Sequence, residues 1–209
     1  MRAVIICGGD IGNYERAKAC IKPGDMIICA DSGYAHAKKM NIRPDVVLGD
    51  FDSYKKDDVI CDDIKIYPAK KDFTDSEIAA DYALKNGADE ILLLASTGGR
   101  IDHTLANIYL LKTISQRGIF ISIFDGQSTT YYLNNLNNEF LLKGKKGDLL
   151  SLVPFSSVSD ITLWGLEYAL SNQPLPSTGV SNVFICDEVK IKIGSGEAIV
   201  IHTPKMHTC

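Results

Sequence analysis

The sequence predicts a two-part α/β chain: a Rossmann-like, mostly parallel sheet with helices over residues 1–125, then an all-β sandwich or barrel over 126–209. Three observations predict it. Short apolar runs alternate with helix-like stretches through the first half, which is the grammar of an α/β layer. Some of those runs, such as Ile91–Ala95, are apolar at every position, as strands covered on both faces are. Past Gly126 the helical periods stop, and short β-rich runs follow between Asn-Asn, Gly-Lys, Gly-Asp and Gly-Ser turns.

In order, the first-half strands are expected at Ala3–Cys7, Met26–Ala30, Val46–Leu48, Ile64–Tyr67, Ile91–Ala95 and Phe120–Phe124. Amphipathic helices are expected around Tyr14–Ile21, Tyr34–Met40, Asp75–Asn86 and Asp102–Gln116. The second half should contain strands at Thr129–Leu133, Glu139–Leu142, Asp148–Val153, Asp160–Leu163, Val183–Cys186, Val189–Ile193 and Ala198–His202. The join has no Pro/Gly/Ser linker, so close packing of the halves is expected, and no internal repeat is visible.

At 209 residues, 45% apolar and 23% charged, the composition is that of a soluble globular protein with a sizeable core. A net charge of −4 argues against nucleic-acid or anionic-membrane partners. No apolar stretch approaches the roughly 18–20 residues of a membrane span, and the five-residue run after Arg2 is too short for a secretion signal. The six cysteines form no C-x-x-C pair, and Cys7 and Cys29 sit in apolar runs as small hydrophobes. A cytoplasmic protein with reduced thiols is expected.

Chemistry concentrates where predicted strands end, the place where open α/β sheets bind ligands. VVLGDFDS (46–53) delivers Asp50 and Asp52, which extended geometry puts on one side with Phe51 on the other. Two crowded carboxylates repel unless a cation lies between them, and Mg²⁺ suits hard oxygen ligands that act together with substrate phosphates. D-x-D is also what a capped turn looks like. KKDFTDSEIAADYALKNG (70–87) opens with a capping box at Thr74 and Glu77, and Gly87 ends the helix. Ile78, Ala79, Tyr82 and Ala83 form its expected inner face. Capping accounts for Thr74 and Glu77, and in part for Asp75, but not for Lys70, Lys71 and Asp72; a phosphate chain at a helix N-terminus does. Asp75 could complete the metal's carboxylates or orient an attacking hydroxyl.

STGGRIDHTLANIYLL (96–111) reads as a Gly-rich turn at Gly98-Gly99 followed by a helix, a geometry that lets a phosphate approach the backbone. Arg100, His103 and Asn107 form a polar stripe, and Ile101, Leu105, Ile108 and Leu111 the expected apolar face. A cap and its ion pair would also explain Arg100 and Asp102.

With these residues in view, the chain resembles the thiamine pyrophosphokinase family. The stretches ADSGYAHAKKMNIRPDVVLGDFDS, KDFTDSEIA and STGGRIDHTLANI occur in family order, and KGDLLSLVPFSSVSDITLWGLEYAL and STGVSNVF resemble its more variable motifs. The resemblance implies an α/β domain for ATP and Mg²⁺, a β-sandwich for thiamine binding and dimerisation, and a homodimer with sites between subunits. It implies transfer of the terminal pyrophosphoryl group of ATP to the thiamine hydroxyl, leaving AMP. On that resemblance Asp50, Asp52 and Asp75 are the metal-binding and catalytic carboxylates, and Asp31 is an acidic position near the site. Lys71 and Arg100 balance phosphate charge, with Thr74, Gly98, Gly99, Asp102, His103 and Asn107 beside the nucleotide. Tyr168, Ser181 and Asn182 match the thiamine side, where an aromatic platform suits a cationic thiazolium. Ser32 stands where the family commonly has glycine, Val183 where an acidic residue is frequent, and Trp164 lies outside the motif. Two other readings use the same residues: a Mg²⁺-dependent phosphatase or nucleotidyltransferase built on the D-x-D carboxylates, and a non-catalytic nucleotide-binding sensor.

Overall fold

The apolar runs of the first half become buried parallel strands with helices crossing between them. A computed structural model describes residues 1–50, 59–61, 63–68, 72–175 and 178–205. The chain divides into two compact units, residues 1–114 with 119–127, and residues 115–118 with the chain from 128 onward.

In the first unit the order is β1 (Arg2–Ile6), α1 (Tyr14–Ala19), β2 (Met26–Ala30), α2 (Gly33–Lys39), β3 (Val46–Gly49) and β4 (Asp63–Ile66). Then come α3 (Asp75–Lys85), β5 (Glu90–Leu94), α4 (Ile101–Ser115) and β6 (Phe120–Phe124). The strands pair in parallel in the order β6-β5-β1-β2-β3-β4. Strand order therefore reverses at β1, with β2 on one side and β5 on the other. Such a switch point opens a crevice at the carboxyl ends of the strands. One core cluster packs Val4, Ile6, Cys29 and Leu94 of the sheet against Ala17, Tyr34 and Ala37 of the helices. The amino end of the sheet is held by Arg2, which clasps Asp25 through Nε at 3.0 Å and Nη2 at 2.6 Å and donates to the Cys20 carbonyl at 2.8 Å.

The second unit contains β7 (Thr129–Leu133), β8 (Glu139–Lys143), β9 (Leu149–Pro154), β10 (Ile161–Trp164), β11 (Leu170–Gln173), β12 (Gly179–Val183), β13 (Glu188–Lys192) and β14 (Ala198–Thr203). They form two antiparallel sets, β12-β9-β14-β7 and β11-β10-β13-β8. Leu150, Leu152 and Val200 of the first set and Leu163, Val189 and Ile191 of the second belong to one core cluster. A buried polar anchor accompanies it: Asp148 accepts from the Lys145 and Lys205 backbone N–H groups and lies 2.9 Å from His202 Nε2. Among the described residues no helix is long and apolar enough to cross a membrane.

Three expectations need correction. The strand expected at Val183–Cys186 is displaced: β12 ends at Val183, Phe184 forms an isolated antiparallel bridge with Leu166 and donates its N–H to the Asp148 carbonyl, and Ile185 donates to the Gly165 carbonyl. Strands β11 and β12 are edge strands with mostly exposed residues, so no apolar alternation marks them. On α3 the buried residues are Ser76, Ala79, Ala80 and Ala83, while Ile78 and Tyr82 are half-buried. On α4, Ile101 and Leu105 are 77% and 59% exposed, and the inner face is Asn107, Leu110, Leu111 and Ile114.

Candidate active site

A cavity of about 360 Å³ opens where the strand order reverses. Its walls come from the exits of three strands: Cys7 to Gly9 after β1, Ala30 to Ser32 at β2, and Ala95 with Ser96 after β5. The N-terminal turn of α3 (Thr74 to Ser76), the Gly98–Arg100 turn, His103 and Asn107 complete it.

The backbone at these exits is bent away from ordinary strand geometry. Asp31 and Ala95 take φ values of +46° and +55°, uncommon for residues with a side chain and concentrated at functional sites. Asp31 is held there by its own N–H to the Leu48 carbonyl at 2.7 Å, and a Cβ on Gly49 would press within 3.0 Å of the Asp31 Cα. Asp50 follows Gly49 at the adjoining exit and is not part of the cavity wall. The Gly98-Gly99 turn needs glycine, with φ of +83° and +60°. It is pinned by the Asp10 carboxylate, which accepts the Gly99 N–H at 3.0 Å.

Asp75 begins α3 beside Thr74, whose hydroxyl accepts the Glu77 N–H at 3.2 Å while Glu77 Oε2 accepts the Thr74 N–H at 2.7 Å. This capping box fixes the first turn and turns the Thr74 hydroxyl toward the helix. Beneath it runs a buried ladder: Ser76 Oγ donates to Asn107 Oδ1 at 2.5 Å, and Asn107 Nδ2 donates to the Ser96 carbonyl at 2.7 Å. Asn107, expected on a polar stripe beside the nucleotide, is 6% exposed and bonds through both ends of its amide. It therefore ties α3, α4 and β5 together under the cavity.

Burial pushes the Cys7 thiol up to about 12, and the Asp75 carboxylate adds to the shift, so the cavity floor carries a neutral thiol. Arg100 lines the cavity and grips Asp102 in a bidentate pair at 3.1 and 2.6 Å. That pair, with the His103 N–H, holds the Asp102 carboxyl down at about 2. Asp102 thus presents Arg100, while His103 faces the cavity itself.

On the second unit, Asn182 clasps the backbone of Tyr168, accepting its N–H at 2.9 Å and donating to its carbonyl at 2.8 Å. Tyr168 is 72% exposed, and Ser181 sits beside Asn182 at φ +58°. Trp164 is also exposed.

The fold thus gathers Asp31, Thr74, Asp75, Gly98, Gly99, Arg100, His103 and Asn107 around one cavity. Asp52, Lys70 and Lys71 lie outside the described residues. Gly8, Gly9, Asp10, Ser76 and Ser96 were not singled out in the sequence. The signal for the first three was Cys-Gly-Gly-Asp directly after an apolar strand, the same strand-then-glycine pattern as STGGR. Ser32 caps α2 without a side-chain bond, and its hydroxyl fills the space that a side chain at Gly8 would need.

Among the described residues no group of three or more His, Cys, Asp and Glu side chains is set to hold a metal ion. The donors present still suit Mg²⁺ arriving with a phosphate chain: Asp31 and Asp75 bring hard oxygens to the cavity, and such ions are usually held by one or two carboxylates plus phosphate.

Comparisons with known proteins bear on what this cavity serves. The family model described as thiamin pyrophosphokinase, catalytic domain, matches residues 17–123, and that described as its vitamin B1 binding domain matches 137–197. A thiamine pyrophosphokinase of Bacillus subtilis is 32% identical over 151 residues, 69% of this chain and 70% of the relative. The crystal structure of thiamin pyrophosphokinase from Geobacillus thermodenitrificans is 28% identical with a TM-score of 0.83, covering 100% of both chains. That of the Bacillus subtilis enzyme is 26% identical with a TM-score of 0.83, over 99% of this chain and 100% of the other. With both of its domain models matched in order and a relative above 30% identity, the chain belongs to the thiamin pyrophosphokinase family.

Proposed function

We propose that this protein transfers the terminal pyrophosphoryl group of ATP to the hydroxyl of thiamine, giving thiamine diphosphate and AMP. The observation that carries the reading is the cavity at the strand-order switch point, lined by two carboxylates, a Gly-Gly turn and Arg100, in a chain of this family. The first unit, with its Rossmann-like sheet, takes ATP; the second, read as a β-sandwich, takes thiamine and joins two copies in a homodimer with sites between subunits. The 125/126 boundary separates these roles.

In the transfer, the thiamine oxygen bonds to the β-phosphorus as the bond from that phosphorus to the α-bridging oxygen breaks, and AMP leaves. The hydroxyl proton passes to Asp75, which also aligns the nucleophile. Arg100 and Lys71 balance the anionic charge, so positioning and electrostatics supply the catalysis without a phosphoenzyme. Asp50, Asp52 and Asp75 would hold Mg²⁺, which when bound neutralises phosphate oxygens. Tyr168 stacks on thiamine and Ser181 bonds a pyrimidine nitrogen, while Asn182 holds the Tyr168 backbone for that purpose. Cys7 and Cys29, buried along the parallel sheet as small hydrophobes, suit the cytoplasmic setting we propose.

Incubation with ATP, Mg²⁺ and thiamine tests the reading. Equal amounts of AMP and thiamine diphosphate are expected. ADP or free phosphate in their place would point to a kinase or phosphatase of another kind, and nucleotide binding without product to a sensor.

A further inference from the structure

Behind the cavity wall, three side chains form a chain that the transfer chemistry does not use. Tyr14 Oη lies 2.7 Å from His36 Nδ1, and His36 Nε2 lies 2.8 Å from the Gly9 carbonyl oxygen. A carbonyl only accepts, so Nε2 carries the proton. In the neutral ring Nδ1 is then left to accept from the Tyr14 hydroxyl. Tyr14 is steadied in turn by Lys39, whose Nζ lies 3.8 Å from its ring centroid.

Gly9 is the residue this chain grips, and it lines the cavity. Its N–H donates to the Ala95 carbonyl at 2.7 Å, and the next N–H, of Asp10, donates to the Thr97 carbonyl at 2.7 Å. Gly9 is thereby held from both sides, by the β5 exit through its N–H and by α2 through its carbonyl. A Cβ there would overlap the Thr97 carbonyl oxygen and lie 2.7 Å from that of Ala95. The loop consequently has one seating against the 95–99 segment. The packing of α2 does not depend on His36: Tyr34, Ala37 and Met40 bury that helix, and His36 is only half-buried.

We infer that His36, oriented by Tyr14, is a positioning residue that sets the width of the triphosphate cavity by fixing the Gly9 carbonyl. The inference rests on the nucleotide reading above. Without the imidazole bond the Gly9 carbonyl loses its anchor on α2 and the wall keeps only its N–H bonds to the 95–97 segment, so the nucleotide must settle it on binding. Thiamine, assigned to the second unit, is unaffected.

The test compares wild type with His36→Leu, His36→Gln and Tyr14→Phe. Steady-state kinetics for both substrates are combined with calorimetric titration of Mg²⁺-ATP and a melting curve. Loss of one backbone-directed hydrogen bond predicts a rise of about tenfold in KM and Kd for ATP in His36→Leu. kcat and the thiamine KM stay within about twofold, the spread a pure positioning effect leaves. His36→Gln, whose amide N–H can stand in for Nε2–H, recovers most of the affinity. Tyr14→Phe removes only a hydroxyl and raises the ATP KM about threefold, part of one hydrogen bond. Unchanged ATP affinity in His36→Leu and Tyr14→Phe, a loss confined to kcat, or a Gln variant no better than Leu would each overturn the inference while leaving the nucleotide reading intact. Wild-type protein that binds no ATP overturns both.

Discussion

Replacing Asn107 with alanine removes the one side chain that joins Ser76 to the Ser96 carbonyl. In the native structure Ser76 is 8% exposed and Ser96 2% exposed, so although both border the cavity little water reaches either bond. The Ser96 carbonyl left unpaired costs about 1–3 kcal/mol, while Ser76 Oγ keeps Thr74 Oγ1 at 3.1 Å. At the size of this chain that lowers the melting temperature by about 2–12 °C. The effect reaches the site as well, because the ladder sits directly under the turn that carries Asp75. The assay is thermal and urea unfolding of Asn107→Ala and Asn107→Asp beside wild type, with activity on the same preparations. Asn107→Asp keeps the shape but replaces the donor to the Ser96 carbonyl with a carboxylate oxygen, so it should be no more stable than the alanine variant. A loss below about 1 kcal/mol in Asn107→Ala, the size of an ordinary exposed hydrogen bond, would mean that the ladder does not hold this part of the fold.

Asp75→Asn should leave the capping box and the melting curve intact while lowering turnover at least about a hundredfold, the usual contribution of a positioned base; near-normal turnover would remove Asp75 from the chemistry. Asp25→Asn should cost about 3 kcal/mol at neutral pH by removing the carboxylate Arg2 clasps, leaving it the Cys20 carbonyl and Glu90 at 4.0 Å. Burial alone would raise Asp25, but the Arg2 guanidinium and the Lys22 N–H overcome this and hold its carboxyl below the usual range. That stability is present above the unfolded value of about 3.9 and is lost as pH falls through the lower folded value. Acid unfolding of wild type against the variant checks this, since their difference should shrink only in that window. Gly33→Ala would drive a Cβ into the Ile6 carbonyl, 2.6 Å from its carbon, and should destabilise the protein by about 3 kcal/mol in denaturant unfolding.

Much of this arrangement was legible because local chemistry and global fold agree. Thr74 and Glu77 announce the start of α3 by a cap that forms as written, and Gly87 ends that helix at φ +88°. The apolar runs before Asp31 and Asp50 are strands of a parallel sheet, which puts their carboxylates at the ligand-binding edge. The second α/β glycine turn, Gly8-Gly9, went unremarked because no charged triplet follows it. Helix α4 misled for a different reason: apolar residues occur on every side of it, so periodicity does not choose a face. What chose the face was polar, the amide of Asn107 satisfying two buried groups. Edge strands β11 and β12 were missed or shifted because their exposed residues carry no alternation to read. Asp52 and Lys71, prominent in the sequence, lie outside the described residues, and their places in the site remain expectations.

On this reading a triphosphate occupies the crevice between the β1 and β5 exits. A crystal structure of the protein with a non-hydrolysable ATP analogue and Mg²⁺ decides the matter. Phosphate density between Gly8-Gly9 and the Gly98–Arg100 turn, with the ion against the aspartates, is the predicted result. A nucleotide bound elsewhere, with this cavity holding only solvent, would contradict it.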